Sequence, residues 1–381
     1  MAGTAAVVLA AIGLGTLFAT VRPVGDGVKS SIAPTTQQAV SPIASSSPTP
    51  PATAVPRRRA STWGEIVVDA DATEAVALDV LMARGRWVVV GYSEARPAIW
   101  SSGDGRTWTR ATAVPEVASG VLNDVALVGD VLVAVGWQTP EPGSPRDDGL
   151  AWVSNDGITW SSGDGAESFA GSRILSVAEG SGRAVALGSG ADGTIRAWAS
   201  ADHAQTWDQA TGLDAPAGSS VGAVIWTGER FVAVGEYLGP EASPGVWISS
   251  DGMAWTQVSE GLEDGSVADV AIGEEGLVAV GSTDSGSAAV WRSPDGVTWS
   301  RDSTPPQSQG LVGVGAGSAT TMVIAGQPGP ASLWRSDRGT AWERHPALGS
   351  GGAAMRSIAF HDGAWIVAGD RSGVPMVWIG R

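Results

Sequence analysis

A short apolar run that ends in glycine recurs seven times along the chain. The first copy is WVVVG at residues 87–91, and the later copies read VAVG, VALG, VIAG or IVAG. A period of 43 to 52 residues between the glycines indicates a repeat architecture in which every unit forms the same small piece of structure. The glycines are Gly91, Gly136, Gly188, Gly235, Gly281, Gly326 and Gly369.

Each repeat predicts four short β-strands. A β-branched residue in the first strand precedes the glycine by eleven positions in six copies and by twelve in the other. The glycine ends the second strand, a tryptophan ends the third, and a polar turn leads to a second tryptophan. Segments rich in Val, Trp and Thr between Gly, Pro and Asp turns are typical of strands. The tryptophans that end the third strands are Trp100, Trp152, Trp198, Trp247, Trp291, Trp334 and Trp378.

The seventh repeat is incomplete, and its missing strand is found at the other end of the folded region. Only three residues follow Trp378, whereas the segment Ser61-Thr62-Trp63 is similar to the Thr-Trp pairs that begin fourth strands elsewhere. A ring of seven four-stranded units covers both faces of every sheet, which one unit alone cannot do. We therefore expect an all-β fold, a seven-bladed β-propeller over residues 61–381 whose last blade is closed by the N-terminal strand. A linear β-solenoid is the alternative, but it needs no complementary half-units.

Composition excludes several classes of protein. The 43% of hydrophobic residues is too high for a disordered chain, and 53 glycines with 22 prolines do not suit a mainly helical one. Cysteine is absent, so disulfides, thiolate metal sites and a cysteine nucleophile are excluded. The three histidines are isolated in sequence, which leaves little for a zinc site or a Ser-His-Asp triad. We expect no metal and no cofactor.

Charge argues against a nucleic-acid partner. After residue 59 the chain carries 18 basic and 38 acidic residues, a net charge of −20. A body this acidic repels phosphate backbones. We expect a monomer whose ligand is a protein or a glycan.

The first 60 residues differ in composition from the rest. Residues 1–21 are uncharged and mostly apolar, which predicts a helix that serves as a transmembrane anchor or signal sequence. Residues 22–60 are rich in Pro, Ser and Thr, which predicts a disordered linker. The basic residues after the apolar segment favour a cytoplasmic domain, whereas a stalk of this kind favours an extracytoplasmic one. A missing basic leader before Met1 would reconcile the two, and we expect an extracytoplasmic, membrane-anchored or secreted protein.

The polar turns resemble the Asp-box, or bacterial neuraminidase repeat, whose pattern is Ser/Thr-x-Asp-x-Gly-x-Thr-Trp. The six turns read SSGDGRTW, VSNDGITW, ASADHAQTW, ISSDGMAW, RSPDGVTW and RSDRGTAW. Four copies are one residue shorter than the pattern, the third has Ala204 in place of glycine, and the sixth has Asp337 one position early. The resemblance implies a sialidase-like propeller in which these turns lie on the face away from any active site. It assigns turn stabilisation, with calcium or ligand contact as the alternative, to Asp104, Asp156, Asp202, Asp251 and Asp295.

The same resemblance raises the question of sialidase chemistry. Such enzymes use three arginines to bind the substrate carboxylate, a tyrosine nucleophile paired with a glutamate, an acid-base aspartate and an early Phe/Tyr-Arg-Ile-Pro motif. That motif is missing from the propeller region, and we assign no catalytic residue. Loops opposite the Asp-boxes nevertheless contain tyrosines, arginines and acids that could bind a ligand. These candidates are Tyr92, Arg96, Arg146, Asp147, Arg196, Tyr237, Asp370 and Arg371.

Acidic residues also recur in the predicted first strands. Asp79, Asp124 and Asp269 occupy the same position relative to the glycine, with Ser176 and Ser357 in two other repeats. First strands line the central channel of a propeller, so these residues predict an acidic collar for a cation or a cationic ligand group. The alternative is that each aspartate accepts backbone hydrogen bonds from a neighbouring blade.

Two functions follow from these patterns. The first is a non-catalytic, membrane-tethered binding propeller that presents its loops to a protein or glycan ligand. Its longest loop, residues 138–149, is the most suitable place for recognition. The alternative is a sialidase-like glycoside hydrolase that uses Tyr92 or Tyr237. The resemblance extends to non-catalytic propellers that act as assembly or sorting factors.

Overall fold

The computed structural model describes residues 63–380 except 142, 145, 164, 240–241, 259, 307, 318, 326–330, 338–340 and 346–351. These residues form seven four-stranded antiparallel sheets, so the prediction of an all-β, seven-bladed propeller is confirmed. Within the described part of the chain the single helical element is a 3₁₀ turn at Ala166–Phe169. None of the helical structure described is long and apolar enough to cross a membrane. The predicted apolar helix at residues 1–21 and the linker at 22–60 lie outside the described residues.

The first three blades follow one another along the chain. Blade 1 consists of β2 (Ala75–Ala83), β3 (Arg86–Ser93), β4 (Arg96–Ser102) and β5 (Thr109–Arg110). Blade 2 consists of β6 (Ser119–Val128), β7 (Val131–Thr139), β8 (Asp148–Ser154) and β9 (Ser161–Ser162). Blade 3 consists of β10 (Ser172–Gly180), β11 (Arg183–Gly190), β12 (Ile195–Ser200) and β13 (Asp208–Gln209).

The next three blades repeat the same order, and the seventh combines both ends of the folded region. Blade 4 consists of β14 (Ser220–Trp226), β15 (Phe231–Leu238), β16 (Ala242–Ser249) and β17 (Thr256–Val258). Blade 5 consists of β18 (Ser266–Gly273), β19 (Gly276–Ser282), β20 (Ala288–Ser293) and β21 (Ser300–Arg301). Blade 6 consists of β22 (Leu311–Ala316), β23 (Thr320–Ala325), β24 (Ser332–Asp337) and β25 (Trp342–Arg344). Blade 7 consists of β26 (Ala353–His361), β27 (Ala364–Arg371), β28 (Val374–Gly380) and β1 (Trp63–Val67).

The recurring glycine is explained by a bulge in the first strand of the blade. The register of β2 against β3 shifts between Ala77 and Asp79, directly opposite Gly91. A Cβ atom on Gly91 would overlap the backbone carbonyl oxygen of Val76. The same overlap with the first strand would occur at Gly136, Gly188, Gly235, Gly281 and Gly369. Only glycine therefore allows the second strand to pass the bulge.

The hydrophobic core is divided among the seven seams between neighbouring blades. Each seam holds one apolar cluster, and the tryptophan that ends a third strand packs into the seam with the preceding blade. Six of these tryptophans are at most 1% exposed: Trp100, Trp152, Trp198, Trp247, Trp291 and Trp378. Because every sheet buries both faces against its neighbours, the ring is stable only when it is closed.

Closure of the ring depends on β1, as the split repeat predicted. β1 pairs with β28 over its whole length, from Trp63 opposite Gly380 to Val67 opposite Met376. Trp63 joins the cluster between blades 6 and 7, where it takes the position of the second tryptophan of other repeats. The carboxylate of Glu65 in β1 accepts two hydrogen bonds from Arg371, at 2.9 and 2.8 Å, and one from the indole of Trp378 at 3.2 Å.

The two faces of the disc differ in what they carry. The turn face holds the Asp-box-like turns between third and fourth strands, and the loop face holds the loops between second and third strands. Since Trp63 pairs with Gly380, the described chain begins and ends on the turn face, at the place where a seventh turn would lie. The loop face is therefore on the opposite side from the point where the preceding segment joins the propeller.

Candidate functional site

The Asp-box-like turns are self-contained hydrogen-bonded units. In the first turn the Oδ1 atom of Asp104 accepts the backbone N–H groups of Arg106 at 2.8 Å and Thr107 at 2.7 Å. The hydroxyl of Ser102 accepts the N–H of Gly105, which has a φ of 73°. The backbone bonds from Thr107 and Arg106 lower the pKa of Asp104 to about 2.

Equivalent bonds are made in four other turns by Asp156, Asp202, Asp251 and Asp295. In the third turn Ala204 replaces glycine and adopts a φ of 64°, so the longer loop keeps the left-handed geometry without glycine. The described residues contain no group of three or more His, Cys, Asp or Glu side chains that could hold a metal ion. Each turn aspartate thus accepts hydrogen bonds from the backbone of its own turn, and its role is to stabilise that turn.

On the loop face, the seam between blades 7 and 1 contains a tyrosine, an arginine and two acids. The Nη2 atom of Arg356 donates to Asp370 at 3.1 Å, and Asp370 is only 9% exposed. Burial raises the pKa of the neighbouring Tyr92 phenol, and the negative charges of Asp370 and Glu74 act in the same direction against the positive charge of Arg356. Burial of Tyr92 therefore favours the protonated form of its phenol.

A second cluster lies at the seam between blades 2 and 3. The guanidinium of Arg173 lies over the ring of Trp137, 4.5 Å from its centre. The Nε atom of Arg173 donates to Asp147 at 2.6 Å, and the hydroxyl of Thr139 donates to the other oxygen of Asp147 at 2.8 Å. Arg173 is about half-exposed, so the cluster faces solvent beside the loop at residues 138–149. We name these four residues the Trp137 cluster.

The remaining loop-face candidates do not converge. The guanidinium of Arg146 lies 3.5 Å from Asp148, and that of Arg196 lies 3.1 Å from Asp192. Arg371 is engaged by Glu65 in the closure of the ring. Tyr237 packs against the cluster between blades 3 and 4, and Arg96 is exposed at the start of β4 in blade 1. The three paired arginines lie on different blades, and each already has a carboxylate.

Charge is unevenly distributed around the loop face. The arginines described above lie on blades 7, 1, 2 and 3, whereas blades 4 and 5 place Glu236 and Asp284 beside each other across their seam. Burial, followed by the negative charge of Asp284, raises the pKa of Glu236. The backbone N–H of Asp284 in turn donates to Asp264 at 3.0 Å.

The sequence analysis missed Glu74, Trp137 and Thr139 in these clusters, and it also missed two arginines, Arg356 and Arg173. Both lie in first strands and not in loops. A signal existed for Arg356, because it occupies the bulge position, thirteen residues before the glycine, that other repeats fill with residues such as Leu78. Arg173 lies fifteen residues before its glycine, where Val76 and Val121 stand in the first two repeats. A basic residue at an apolar position of a repeat is therefore a useful marker.

The three collar aspartates bond to neighbouring blades. Asp79 accepts the N–H of Val125 at 3.2 Å, Asp124 that of Val177 at 2.8 Å, and Asp269 that of Val314 at 2.8 Å. Ser176 and Ser357 continue the pattern, with hydroxyls that donate to Asp124 at 2.7 Å and to Asp79 at 2.6 Å. This series of hydrogen bonds is interrupted at blades 4 and 6, which have Ala223 and Gly313 at the collar position.

Burial dominates the electrostatics of this collar. It raises the pKa of Asp269 to about 7, in spite of the hydrogen bonds from Val314 and Val270. Burial and then the adjacent charge of Asp79 raise the pKa of Asp124 well above its usual range. Burial thus favours the protonated form of Asp124 and Asp269.

Comparison with solved structures finds proteins with a similar fold. The chain is similar to YCF48 bound to D1 peptide, with 19% identity over 83% of this chain and 96% of that one, and a TM-score of 0.58. It is similar to U3-55K, with 14% identity over 83% of this chain and 98% of that one, and a TM-score of 0.54. The chain is a seven-bladed β-propeller. No protein-family model and no curated protein matches its sequence.

Sialidases are also among the structures that match. The sialidase of Trypanosoma rangeli in complex with the inhibitor DANA is 15% identical over 72% of this chain, with a TM-score of 0.45. The propeller spans 56% of that sialidase chain. A shared fold at this level of sequence identity does not indicate a shared reaction, so the function has to be argued from the side-chain clusters themselves.

Proposed function

We propose that this chain is a non-catalytic binding propeller, tethered to a membrane on its extracytoplasmic side, that presents its loop face to a protein ligand. The Trp137 cluster carries this proposal. It combines an aromatic ring, an arginine already oriented by Asp147, and the longest loop of the repeat, all at one seam. Tryptophan and arginine dominate the binding energy of protein interfaces, above all where their geometry is fixed before binding.

Three further observations support the proposal. The predicted linker joins the propeller on the turn face, so the loop face would point away from the membrane. Arg146, Arg196 and Arg371 are occupied by carboxylates, so they do not form the open arginine set of a sialidase. The neighbour YCF48 binds a peptide, which favours a protein ligand over a glycan. We also propose that the chain belongs to the Asp-box propeller family and that it is a monomer.

Binding arrays with the full chain test the proposal. We expect hits on a peptide array, and we expect Trp137→Ala and Arg173→Ala to weaken the selected interaction by about 2 kcal/mol each, roughly thirtyfold. Arg106→Ala is the matched control, because Arg106 is exposed on the turn face and should leave affinity unchanged. Hits confined to a glycan array, or equal affinity of all three variants, would contradict a protein ligand at this cluster.

The enzymatic alternative is tested with fluorogenic sialosides. We expect no turnover from the full chain. Turnover that disappears in Tyr92→Phe or Tyr237→Phe would replace the binding function with a glycoside hydrolase. Retention of the chain in the soluble fraction of its native cells, with residues 1–21 present, would remove the tether from the proposal.

A further inference from the structure

The collar contains a pair of carboxyl groups that share a single donor. Both Asp124 Oδ1, at 2.7 Å, and Asp79 Oδ2, at 3.2 Å, accept the backbone N–H of Val125. Their oxygens therefore face each other across the seam between blades 1 and 2. Two ionised carboxylates in this arrangement repel each other, whereas one proton between them turns the repulsion into a hydrogen bond.

The pair is the centre of a longer chain of side-chain hydrogen bonds. Ser357 of blade 7 donates to Asp79, and Ser176 of blade 3 donates to Asp124. The hydroxyl of Ser176 also accepts the N–H of Val224 in blade 4 at 3.1 Å. Five consecutive blades, from blade 7 through blade 4, are thus linked through the channel. Between blades 1 and 2 the bond from the Val125 N–H to Asp79 needs no proton, whereas the contact between the carboxyl groups of Asp79 and Asp124 depends on one.

We propose that this chain of bonds is a pH-responsive girdle: a proton held between Asp79 and Asp124 keeps the seam between blades 1 and 2 closed, and its release to solvent at higher pH loosens the ring. Both residues are half-buried, so neither carboxylate can gain full hydration when the proton leaves, which supports the proposal. The girdle is independent of the proposed binding function.

Few other charged groups face the pair. Among the first strands packed around it, β10 contributes Arg173, which is bonded to Asp147, and Glu179 near the other end of the strand. β26 contributes Arg356, which is bonded to Asp370, and His361, whose ring packs edge-on against Trp87, and β18 contributes Asp269. β14 and β22 contribute no titratable side chain. Asp269 is itself acidic, so it adds to the repulsion once the proton is lost.

The sign of the effect follows from proton linkage. A carboxyl group with a raised pKa in the folded state binds a proton that the unfolded chain has already released. Its contribution to stability is complete below about pH 4, the unfolded pKa of aspartate, and is lost as the pH rises through the folded pKa. For each such proton, the unfolding equilibrium constant rises roughly tenfold per pH unit in that window.

Urea unfolding of the full chain between pH 5 and 9 tests the girdle. We expect the unfolding equilibrium constant of the wild type to rise with pH, and that of Asp124→Asn to rise more slowly by roughly tenfold per pH unit. The amide introduced by this substitution can donate to Asp79 at every pH, as the protonated acid does. Asp214→Asn is the matched control: it removes an equal charge from an exposed residue and should keep the wild-type slope. Because the wild type and both variants contain the same histidines, titration of the histidines contributes equally to all three slopes.

Two results would overturn the girdle. One is a wild-type constant that stays flat or falls from pH 5 to 9, and the other is an Asp124→Asn slope equal to that of the wild type. If Asp124→Asn does not fold, Asp79→Asn removes one charge from the same pair and can replace it in the test. The pH dependence of the wild-type unfolding constant remains a test of the girdle in either case. Hydrogen exchange, corrected for its intrinsic pH dependence, should show faster exchange at Val125 and Val177 above pH 8, while Val278, buried in blade 5, stays protected.

Discussion

At the scale of the residue, glycine and aspartate do the most to define each repeat. Gly91 and its counterparts allow the second strand to pass the bulge, and Asp104 and its counterparts satisfy the backbone of a tight turn. The bulge was not predicted, although the recurrence of the glycine was visible in the spacing, and the role of the aspartate was predicted from the resemblance to the Asp-box. The partners of Arg173 and Arg356 were not, because they depend on how neighbouring strands and blades bring side chains together.

A substitution at the bulge should be severe. We expect Gly91→Ala to destabilise the protein by about 3 kcal/mol or to prevent folding, because its Cβ atom would meet the carbonyl oxygen of Val76, which cannot move without breaking the bulge. Gly64→Ala is the control, since a Cβ atom there has no neighbour within 4 Å. Chemical denaturation of both variants measures the difference. Equal stability of the two would show that the bulge is adaptable.

At the scale of the element, turns and first strands respond to pH in opposite directions. The turn aspartates are stabilised in their ionised form, whereas burial raises the pKa of Asp124 and Asp269 in the collar and favours their protonated form. The sequence analysis left the collar open between a cation site and backbone acceptors. The structure shows backbone acceptors at all three positions, and the contact between Asp79 and Asp124 could not be predicted, because it depends on the separation of two inner strands.

The turns should set the acid limit of stability. Because the folded pKa of Asp104 lies at about 2 and its unfolded value near 4, its contribution is present above about pH 4 and is lost as the pH falls through 2. We expect the melting temperature of the wild type to fall between pH 4 and 2, and Asp104→Asn to fall less steeply. Asp214→Asn should follow the wild-type curve. A variant at Asp104 that loses stability as steeply as the wild type would contradict this assignment.

At the scale of the whole molecule, the ring is closed by one short strand. β1 joins residues about 300 positions apart, and its Glu65 contacts both Arg371 and Trp378 in blade 7. The sequence predicted the closure from the split repeat but not this ion pair. Since every seam depends on both of its blades, weakening β1 should affect the cooperativity of the entire ring.

The ion pair itself should contribute little compared with strand pairing. Glu65→Gln keeps an acceptor for the indole of Trp378 but removes the charge, and we expect a loss of about 0.2–1 kcal/mol because both side chains are partly exposed. Glu65→Ala should cost more, since it also leaves the indole without this acceptor. A double-mutant cycle with Arg371→Gln measures the coupling. A coupling energy near zero would assign closure to the strand and the packing of Trp63 alone.

The adjacency of Trp63 and Gly380 has a consequence for how the molecule can be rebuilt. Because the first and last described residues are Cα partners in one sheet, a turn copied from another blade could join them covalently. New termini could then be placed in any other turn, and the apolar cluster in every seam would be preserved. Such circular permutants would be alike in fold, and each would move the point of attachment to a different sector of the rim. The orientation in which the loops meet a partner could thus be chosen while the packing within every seam is kept.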